Sequence, residues 1–305
     1  MVTRALFVLL SFLVFPAAAL AQASGNVSYA QGGGQARAEA AERAKRAVSK
    51  DDAPPTATSV FVDASVLMNV KADEHVAVFA VQHECATVPE CNRKMDATVA
   101  SFKAALGPLG VRPEDTYVDF AAQNKIYAFK LAGDVAREEL AGFELKKNVS
   151  VRYRDRDLLD RLIIAASRSN IFDLVKVDYV VRDTAAVQER LMEEAARVVK
   201  HKAARYEKLL GVRLLPPAQV YAERPGIHYP TEMYDSYTAY ESENVDYAFN
   251  RDRYTVQRAR KSRTFFFNAL TADGFDQVIN PVVIEPVVQF TLYLKVKYEI
   301  GQPGR

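Results

Sequence analysis

The two cysteines are the first residues whose spacing could do chemistry. Cys85 and Cys91 are six positions apart, and such a pair can form a disulfide, stay as free thiols or act as a redox couple. A redox couple is disfavoured because the spacing is not Cys-x-x-Cys and no βαβ pattern surrounds the pair. In an oxidising compartment the pattern favours a structural disulfide between Cys85 and Cys91, with two free thiols as the alternative.

Possible metal ligands are sparse. The four histidines are His75, His83, His201 and His228. His83 and Cys85 would share one face of a strand, whereas Glu84 would point to the other face, so this triplet does not make a three-ligand site. A group of acids near residue 240 lacks the spacing of an EF-hand loop. These acids are Asp235, Glu241, Glu243, Asp246 and Asp252. We therefore expect neither a metal nor a cofactor.

The sequence contains no familiar catalytic signature. Gly-x-Ser-x-Gly, Ser-x-x-Lys, His-Glu-x-x-His and P-loop motifs are all absent. Paired carboxylates such as Glu193-Glu194 occur in polar contexts that are typical of a solvated surface. We therefore assign no catalytic residue and expect a protein that is not an enzyme. An envelope hydrolase with a dispersed acidic site is the alternative.

Composition and charge narrow the class of partner. The chain has 305 residues, of which 49% are hydrophobic and 26% charged, and it can bury a sizeable core. Lys and Arg number 40 against 38 acidic residues, so the net charge is only +2. Proteins that neutralise many phosphates carry a larger positive excess, and we expect no nucleic acid partner.

The N-terminus has the parts of a secretory signal peptide. Arg4 precedes an apolar run from Ala5 to Phe15, and Ala19-Leu20-Ala21 has the small-x-small form of a cleavage site. The run is shorter than the roughly 20 residues that span a membrane. We predict that residues 1–21 are removed, with cleavage after Ala23 as the alternative. The mature protein is then expected in the periplasm, without a transmembrane span.

The elements downstream follow no regular βαβ rhythm. Residues 22–58 have few large apolar side chains and predict a flexible, low-complexity tail. Alternation predicts strands near residues 60–71, 76–81, 117–131, 143–153, 175–181, 214–221 and 288–300. Helical spacing predicts helices near residues 92–106, 158–166 and 184–210. We predict an α+β fold over residues 59–300, with helices packed on largely antiparallel sheet in two subdomains. The pair Pro216-Pro217 predicts that its strand lies at a sheet edge.

A long Tyr-rich insertion precedes the last predicted strand. It spans about residues 223–286, and seven of the fifteen Tyr residues lie between Tyr221 and Tyr254. Because aromatic residues are enriched where subunits meet, one interpretation is a subunit interface. A flexible loop and a ligand groove are the alternatives. The candidate interface residues are Tyr234, Tyr237, Tyr240, Tyr247 and, on the final strand, Tyr293.

Short sequences at the element boundaries carry a family resemblance. They are Leu109-Gly110-Val111, Phe143–Val151 followed by Arg154–Leu158, and Leu210-Gly211-Val212 after the longest helix. In this order they resemble the SIMPL-domain family, over about residues 59–220 and 287–300. Its bacterial members are periplasmic or outer-membrane-associated proteins, often labelled immunogenic or oxidative-stress defence proteins. The resemblance implies ring- or barrel-forming oligomers without an agreed enzymatic activity, and no catalytic residue is carried over.

These observations lead to one functional hypothesis and its competitors. We expect a secreted, non-enzymatic SIMPL-like protein that self-associates and serves as a stress-related scaffold or binding protein of the envelope. Its expected partner is a second copy of the chain, while peripheral association with the envelope is left open. Besides the hydrolase, a solute- or glycan-binding envelope module is the alternative.

Export gives the first testable prediction. Protein recovered from the periplasm should lack residues 1–21, or 1–23 if the alternative site is used, because the N-terminal pattern is that of a cleavable signal. Intact-mass spectrometry of periplasmic material checks this. A protein that retains Met1 or stays in the cytosol would contradict both the export and the oxidising environment assumed for the cysteines.

Overall fold

The computed structural model describes residues 58–237 and 264–301. Within these ranges the strands are β1 Ser59–Val70, β2 Glu74–Cys85, β3 Thr116–Ala132, β4 Val135–Tyr153, β5 Asp173–Val180, β6 Leu214–His228, β7 Tyr234–Tyr237, β8 Thr264–Phe267, β9 Gln277–Ile279 and β10 Val288–Ile300. The α-helices are α1 Val88–Leu106, α2 Leu158–Arg168 and α3 Thr184–Leu210. The strands are mostly paired antiparallel, so the predicted α+β class is confirmed.

Sheet A joins the two ends of the described chain. Its strand order is β6-β10-β1-β9, and β1 pairs antiparallel with β10 over its full length. Because side chains alternate across a strand, every second residue of β1 and β10 points towards α3. The core between this sheet and α3 includes Val62, Val66, Leu191, Val199, Phe290 and Leu292.

The final strand is not a sheet edge. β10 lies between β6 and β1, so neither of its backbone edges is left for another subunit. Tyr293, a candidate interface residue, is only 7% exposed. The long final strand is covered by strands of its own chain, and a part of Tyr293 in a subunit contact stays a prediction. Alternation predicted the strand β10. Which strands lie on either side of it depends on long-range pairing, which the local sequence does not encode.

The Tyr-rich insertion is shorter than predicted. β6 continues to His228, beyond its expected end at Tyr221, and residues 222–228 pair with β10. Residues 277–279 form β9, which pairs parallel with β1. Both ends of the predicted insertion are therefore part of sheet A. The prediction that the strand with Pro216-Pro217 lies at an edge is confirmed.

Sheet B has the strand order β3-β4-β2-β5 and is covered by α1 and α2. The strand predicted over residues 76–81 is central, as its apolar character on both faces indicated. Phe79 of β2 meets Phe102 of α1 edge to face, with 5.3 Å between ring centroids. Leu145, Val149 and Leu162 complete the middle of this second core.

Local signals fix the ends of the helices. α3 has the predicted bounds: the Asp183 side chain accepts a hydrogen bond from the Ala186 N–H at 2.9 Å, and Gly211 ends the helix with a φ of +66°. α1 begins earlier than predicted, at Val88, because Thr87 occupies the cap position. No helix within the described ranges has the length and apolar character needed to cross a bilayer.

The predicted disulfide is confirmed. Cys85 at the end of β2 is bonded to Cys91 in the first turn of α1. Cys91 is 1% exposed and belongs to the core of sheet B. The bond therefore ties the start of α1 to the strand against which the helix packs.

Loss of this disulfide should lower stability without changing assembly. The loop between Cys85 and Cys91 is short, and the chain-entropy relation gives a contribution of about 2–2.5 kcal/mol for a loop of this size. The double variant C85S/C91S should therefore have a lower Tm and an unchanged oligomeric mass, measured by calorimetry and light scattering. Complete alkylation of the native, unreduced wild type would show instead that the thiols are free.

Candidate functional site

The structure describes three of the five candidate interface tyrosines. Tyr234 and Tyr237 lie on β7, which pairs with β8. The Tyr234 ring is 6.0 Å from that of Phe267, and its side chain is hydrogen-bonded to Tyr179, so it contacts its own subunit. Tyr293 lies within sheet A, whereas Tyr240 and Tyr247 fall outside the described residues.

The histidines do not gather with acids into a metal site. In the part of the chain that the structure describes, no three His, Cys, Asp or Glu side chains are close enough to hold an ion. His83 Nε2 lies 2.9 Å from Thr98 Oγ1. His75 is stacked against Tyr153 and meets Tyr179 edge on, and burial lowers its pKa. Both histidines therefore contact neighbouring side chains of the fold and are not part of a ligand set among the described residues.

Several exposed apolar side chains lie on the β3–β4 hairpin. β4 is longer than its neighbour β2, whose pairing with β4 ends at Cys85 opposite Phe143. Beyond this point β3 and β4 continue as a two-stranded ribbon to a connection of two residues, where Gly133 has a φ of +62°. We call residues 126–142 the hairpin arm; nearly all of them are exposed.

The outer part of the hairpin arm is amphipathic. Cross-strand partners share a face, and the register pairs Tyr127 with Leu140 and Leu131 with Ala136. Phe129 lies between these pairs on the same face and is paired with Glu138, so the face carries one acid beside its apolar residues. The side chains of Phe129 and Leu131 are 74% and 78% exposed. This face therefore presents an apolar stripe to solvent.

The opposite face of the hairpin arm is charged. Lys130 is paired with Arg137 in the register and forms a salt bridge of 3.4 Å with Glu139. A polar face of this kind is compatible with water, whereas the apolar face is not. The arm thus alternates apolar and polar residues as a half-buried pair of strands does. In the part of the subunit that the structure describes, nothing covers its apolar face.

A glycine allows the hairpin arm to leave the sheet where it does. A Cβ placed on Gly142 would lie 2.7 Å from the backbone oxygen of Cys85. This contact excludes any larger residue at the root of the arm without a shift of the backbone. The end of β2, the disulfide and the start of the arm therefore meet at one point.

A cleft rich in arginine lies elsewhere on the subunit. Its volume is about 340 Å³, and it opens between the end of β4, the turns before β3 and the start of α2. We call it the arginine cleft. Its charged residues are Arg112, Arg152, Arg154 and Arg161 with Glu74, Asp115 and Asp155.

Glu74 anchors the arginines on one side of the cleft. Its side chain is 6% exposed, and its Oε1 accepts hydrogen bonds from Arg154 Nε at 3.0 Å and from Arg182. Arg152 lies 3.7 Å from its other oxygen. The hydrogen bonds from Arg182 and Arg154 hold the pKa of Glu74 below its usual value. The carboxylate is therefore charged at neutral pH and fixes the guanidinium groups around it.

Asp115 also holds arginines of the cleft in place. It accepts a hydrogen bond of 2.9 Å from Arg112 Nε and another from Arg152, and both lower its pKa. Its side chain is 12% exposed. Arg152 thus bridges the two acids, and a single network connects β2, β4 and the turn before β3.

The sequence predictions did not include either surface. The pattern Arg152-Tyr153-Arg154 contained a signal, because alternation puts both arginines on the face opposite buried Tyr153. Glu74, at the start of β2, lies one position beyond the pair His75–Tyr153 and therefore next to them. Asp157 directly precedes α2, but its side chain makes no capping hydrogen bond; the side chain of Asp155, in the cleft, accepts the Asp157 N–H at 3.0 Å.

The pairing of Glu74 predicts a pH-dependent loss of stability. Because its pKa is lowered from 4.5 in the folded state, its contribution should be complete above that pH and disappear as the pH falls through the lowered value. The difference in Tm between wild type and Glu74→Gln should therefore be largest near pH 7 and shrink below about pH 4.5.

The matched control is Glu194→Gln, which removes an acid paired with Arg197 three residues later on α3. An exposed pair of this kind contributes little, so its variant should melt close to wild type throughout. A Glu74→Gln deficit that stays constant down to pH 3 would contradict the assigned role of the carboxylate.

Comparison with known proteins supplies a family. A search of curated proteins finds no match to this chain. The SIMPL family, described as proteins of unknown function (DUF541), matches over residues 60–259. The match includes β1 to β6 with all three helices, and the central strand β10 lies beyond it. The predicted resemblance is confirmed, and the chain belongs to the SIMPL family.

Proposed function

We propose that this chain is an exported, non-enzymatic envelope protein that assembles into oligomers through its hairpin arm and serves as a scaffold. The observation that carries the proposal is the apolar face of the arm, formed by Tyr127, Phe129, Leu131 and Leu140, which is exposed on the subunit. The signal-peptide pattern and the Cys85–Cys91 disulfide support an oxidising envelope compartment.

The hairpin arm is unfavourable as an isolated structure. A two-stranded ribbon is marginally stable in water unless a third strand or another surface packs on it. The free edge of β3 also leaves a row of backbone N–H and C=O groups without a strand partner in the described subunit. A partner that covers the apolar face and the edge removes both costs.

A second copy of the chain fits the arm better than a membrane surface. Two basic and three acidic residues lie in residues 126–142, so the net charge of the arm is −1. An anionic membrane surface attracts basic segments and offers no advantage to this arm. The arm carries charges of both signs, which can pair with the charges of a protein surface of similar composition. Backbone groups at the edge also require a polar partner, which lipid tails do not provide.

The opposite edge of sheet B offers a surface for the neighbouring arm. β3 and β5 are the two edges of this sheet. Near the start of β5, Phe172 is 74% exposed, and Leu174, two positions further on, is 37% exposed. Packing the arm of one subunit on this patch of the next gives a head-to-tail contact, and repeated contacts of this type close into rings.

The acids of the arginine cleft do not support the alternative that the protein is a hydrolase. A carboxyl group that acts as a general acid near pH 7 needs a raised pKa. Arginine contacts lower the pKa of both Glu74 and Asp115. These acids are suited to holding guanidinium groups in place rather than to donating protons.

Two variants and their mixture test this assembly. Phe129→Ser with Leu131→Ser removes the apolar stripe of the arm, and Phe172→Ser removes the centre of the patch. Each variant should be largely monomeric at tens of micromolar in light scattering, while wild type is oligomeric. An equimolar mixture should form heterodimers, because the intact arm of the patch variant can still bind the intact patch of the arm variant.

The control replaces two other exposed apolar residues at alternate positions, Val282→Ser with Ile284→Ser, in the connection before β10. They are 80% and 89% exposed and should not affect the mass. A monomeric wild type, or an arm variant with the wild-type mass, would overturn the proposal. A Phe172→Ser variant with the wild-type mass would show that arms pair with each other instead, and two monomeric variants that form no heterodimer would contradict the head-to-tail contact. A deletion from Pro225 is not a suitable test, because Pro225 pairs with Leu292 inside sheet A.

A further inference from the structure

The arginine cleft carries more guanidinium charge than its own acids neutralise. Its lining has four arginines against three acids. Adding the partners that contact this lining from outside, Arg182 and Glu114, leaves the same excess of one positive charge. A protein stabilised by ion pairs alone needs no such excess, and like charges brought together oppose folding.

The two best-buried acids hold the arginines but leave much of each one in solvent. Arg154 donates its Nε to Glu74 and remains 65% exposed. Arg112 donates its Nε to Asp115 and remains 59% exposed. Because an arginine carries five N–H donors, each of these groups keeps donors for a further acceptor. The guanidinium positions are thus fixed in advance, which reduces the entropic cost of binding.

A third arginine of the lining comes from α2. Arg161 of α2 is 54% exposed and lies 3.4 Å from Asp155, a longer and weaker contact than those of Arg154 and Arg112. The remaining wall is apolar and includes Leu109, Val111 and Leu158. The cleft therefore combines cationic donors with an apolar wall, and its volume of about 340 Å³ falls in the range of small-molecule sites.

We propose that the arginine cleft binds a small organic molecule through its phosphate group. Arginine forks match the oxygens of a phosphate, and the excess charge of the cleft complements an anion. Leu109, Val111 and Leu158 contact the organic part of the ligand, which distinguishes it from inorganic phosphate. A phosphorylated soluble compound and a phospholipid headgroup share this chemistry. The site is independent of the hairpin arm and of the oligomer.

Glycerol phosphate is the probe for a soluble ligand, with glycerol as its uncharged counterpart. Titration calorimetry of the mature protein at constant ionic strength should show saturable binding of glycerol phosphate and none of glycerol. A parallel experiment uses phosphatidylcholine vesicles with and without phosphatidic acid. Binding of glycerol phosphate identifies a soluble ligand, and binding only to phosphatidic acid vesicles identifies a lipid headgroup.

Variants separate binding from a structural role. Arg154→Gln with Arg161→Gln should weaken binding at least about tenfold, because charge-assisted hydrogen bonds to phosphate are lost. Arg154→Lys should bind with an intermediate affinity, since it keeps the charge but loses the fork. The control is Arg197→Gln, an exposed arginine on α3 whose removal should leave the affinity unchanged.

Circular dichroism and the Tm of each variant show whether it is folded, so that a loss of binding can be read as a loss of the site. The proposal is overturned if wild type binds neither glycerol phosphate nor phosphatidic acid vesicles. It is also overturned if the folded double variant binds as tightly as wild type, because the ligand would then occupy another place.

Discussion

The difference in length between β2 and β4 determines which apolar surface this protein exposes. β2 pairs with β4 only as far as Cys85, while β3 and β4 continue together to the turn at Gly133. Inside the sheet, the same alternation buries Val149 and Leu145 against the helices. Beyond the end of β2, it places Tyr127, Phe129 and Leu131 in solvent. One continuous hairpin therefore belongs to the core at its base and is exposed at its tip, where we propose that a partner covers it.

Several features converge on the point where the hairpin arm begins. The disulfide fixes Cys85, the last residue of β2, to the first turn of α1. Gly142 permits the backbone of Cys85 to approach closely. The root of the arm is thus anchored to a buried helix, so the direction of the arm is set by the fold. A rigid base of this kind lowers the entropic cost of bringing the arm to a neighbouring subunit.

The sequence predicted the fold better than it predicted the surfaces. Alternation in β1, β4 and β10 and the caps of α3 are local signals, and the corresponding elements are confirmed. The neighbours of β10 depend on pairing with β1, which lies more than two hundred residues away, and that pairing removed Tyr293 from the surface. The exposure of Phe129 depends on where β2 ends, a fact of sheet assembly that the alternation of β3 does not contain. The arginine cleft likewise depends on Glu74, which is far in sequence from Arg152 and Arg154 and contacts both in the folded chain.

Hydrogen exchange of the hairpin arm tests the central claim most directly. The backbone amides of residues 126–141 should exchange slowly in the concentrated mature protein, because the neighbouring subunit covers them, and faster on dilution below the assembly threshold. Amides of the central strand β10 should exchange slowly at both concentrations and serve as the internal reference. Fast exchange of the arm at every concentration, in a protein whose β10 is protected, would contradict the account that the arm is the assembly surface.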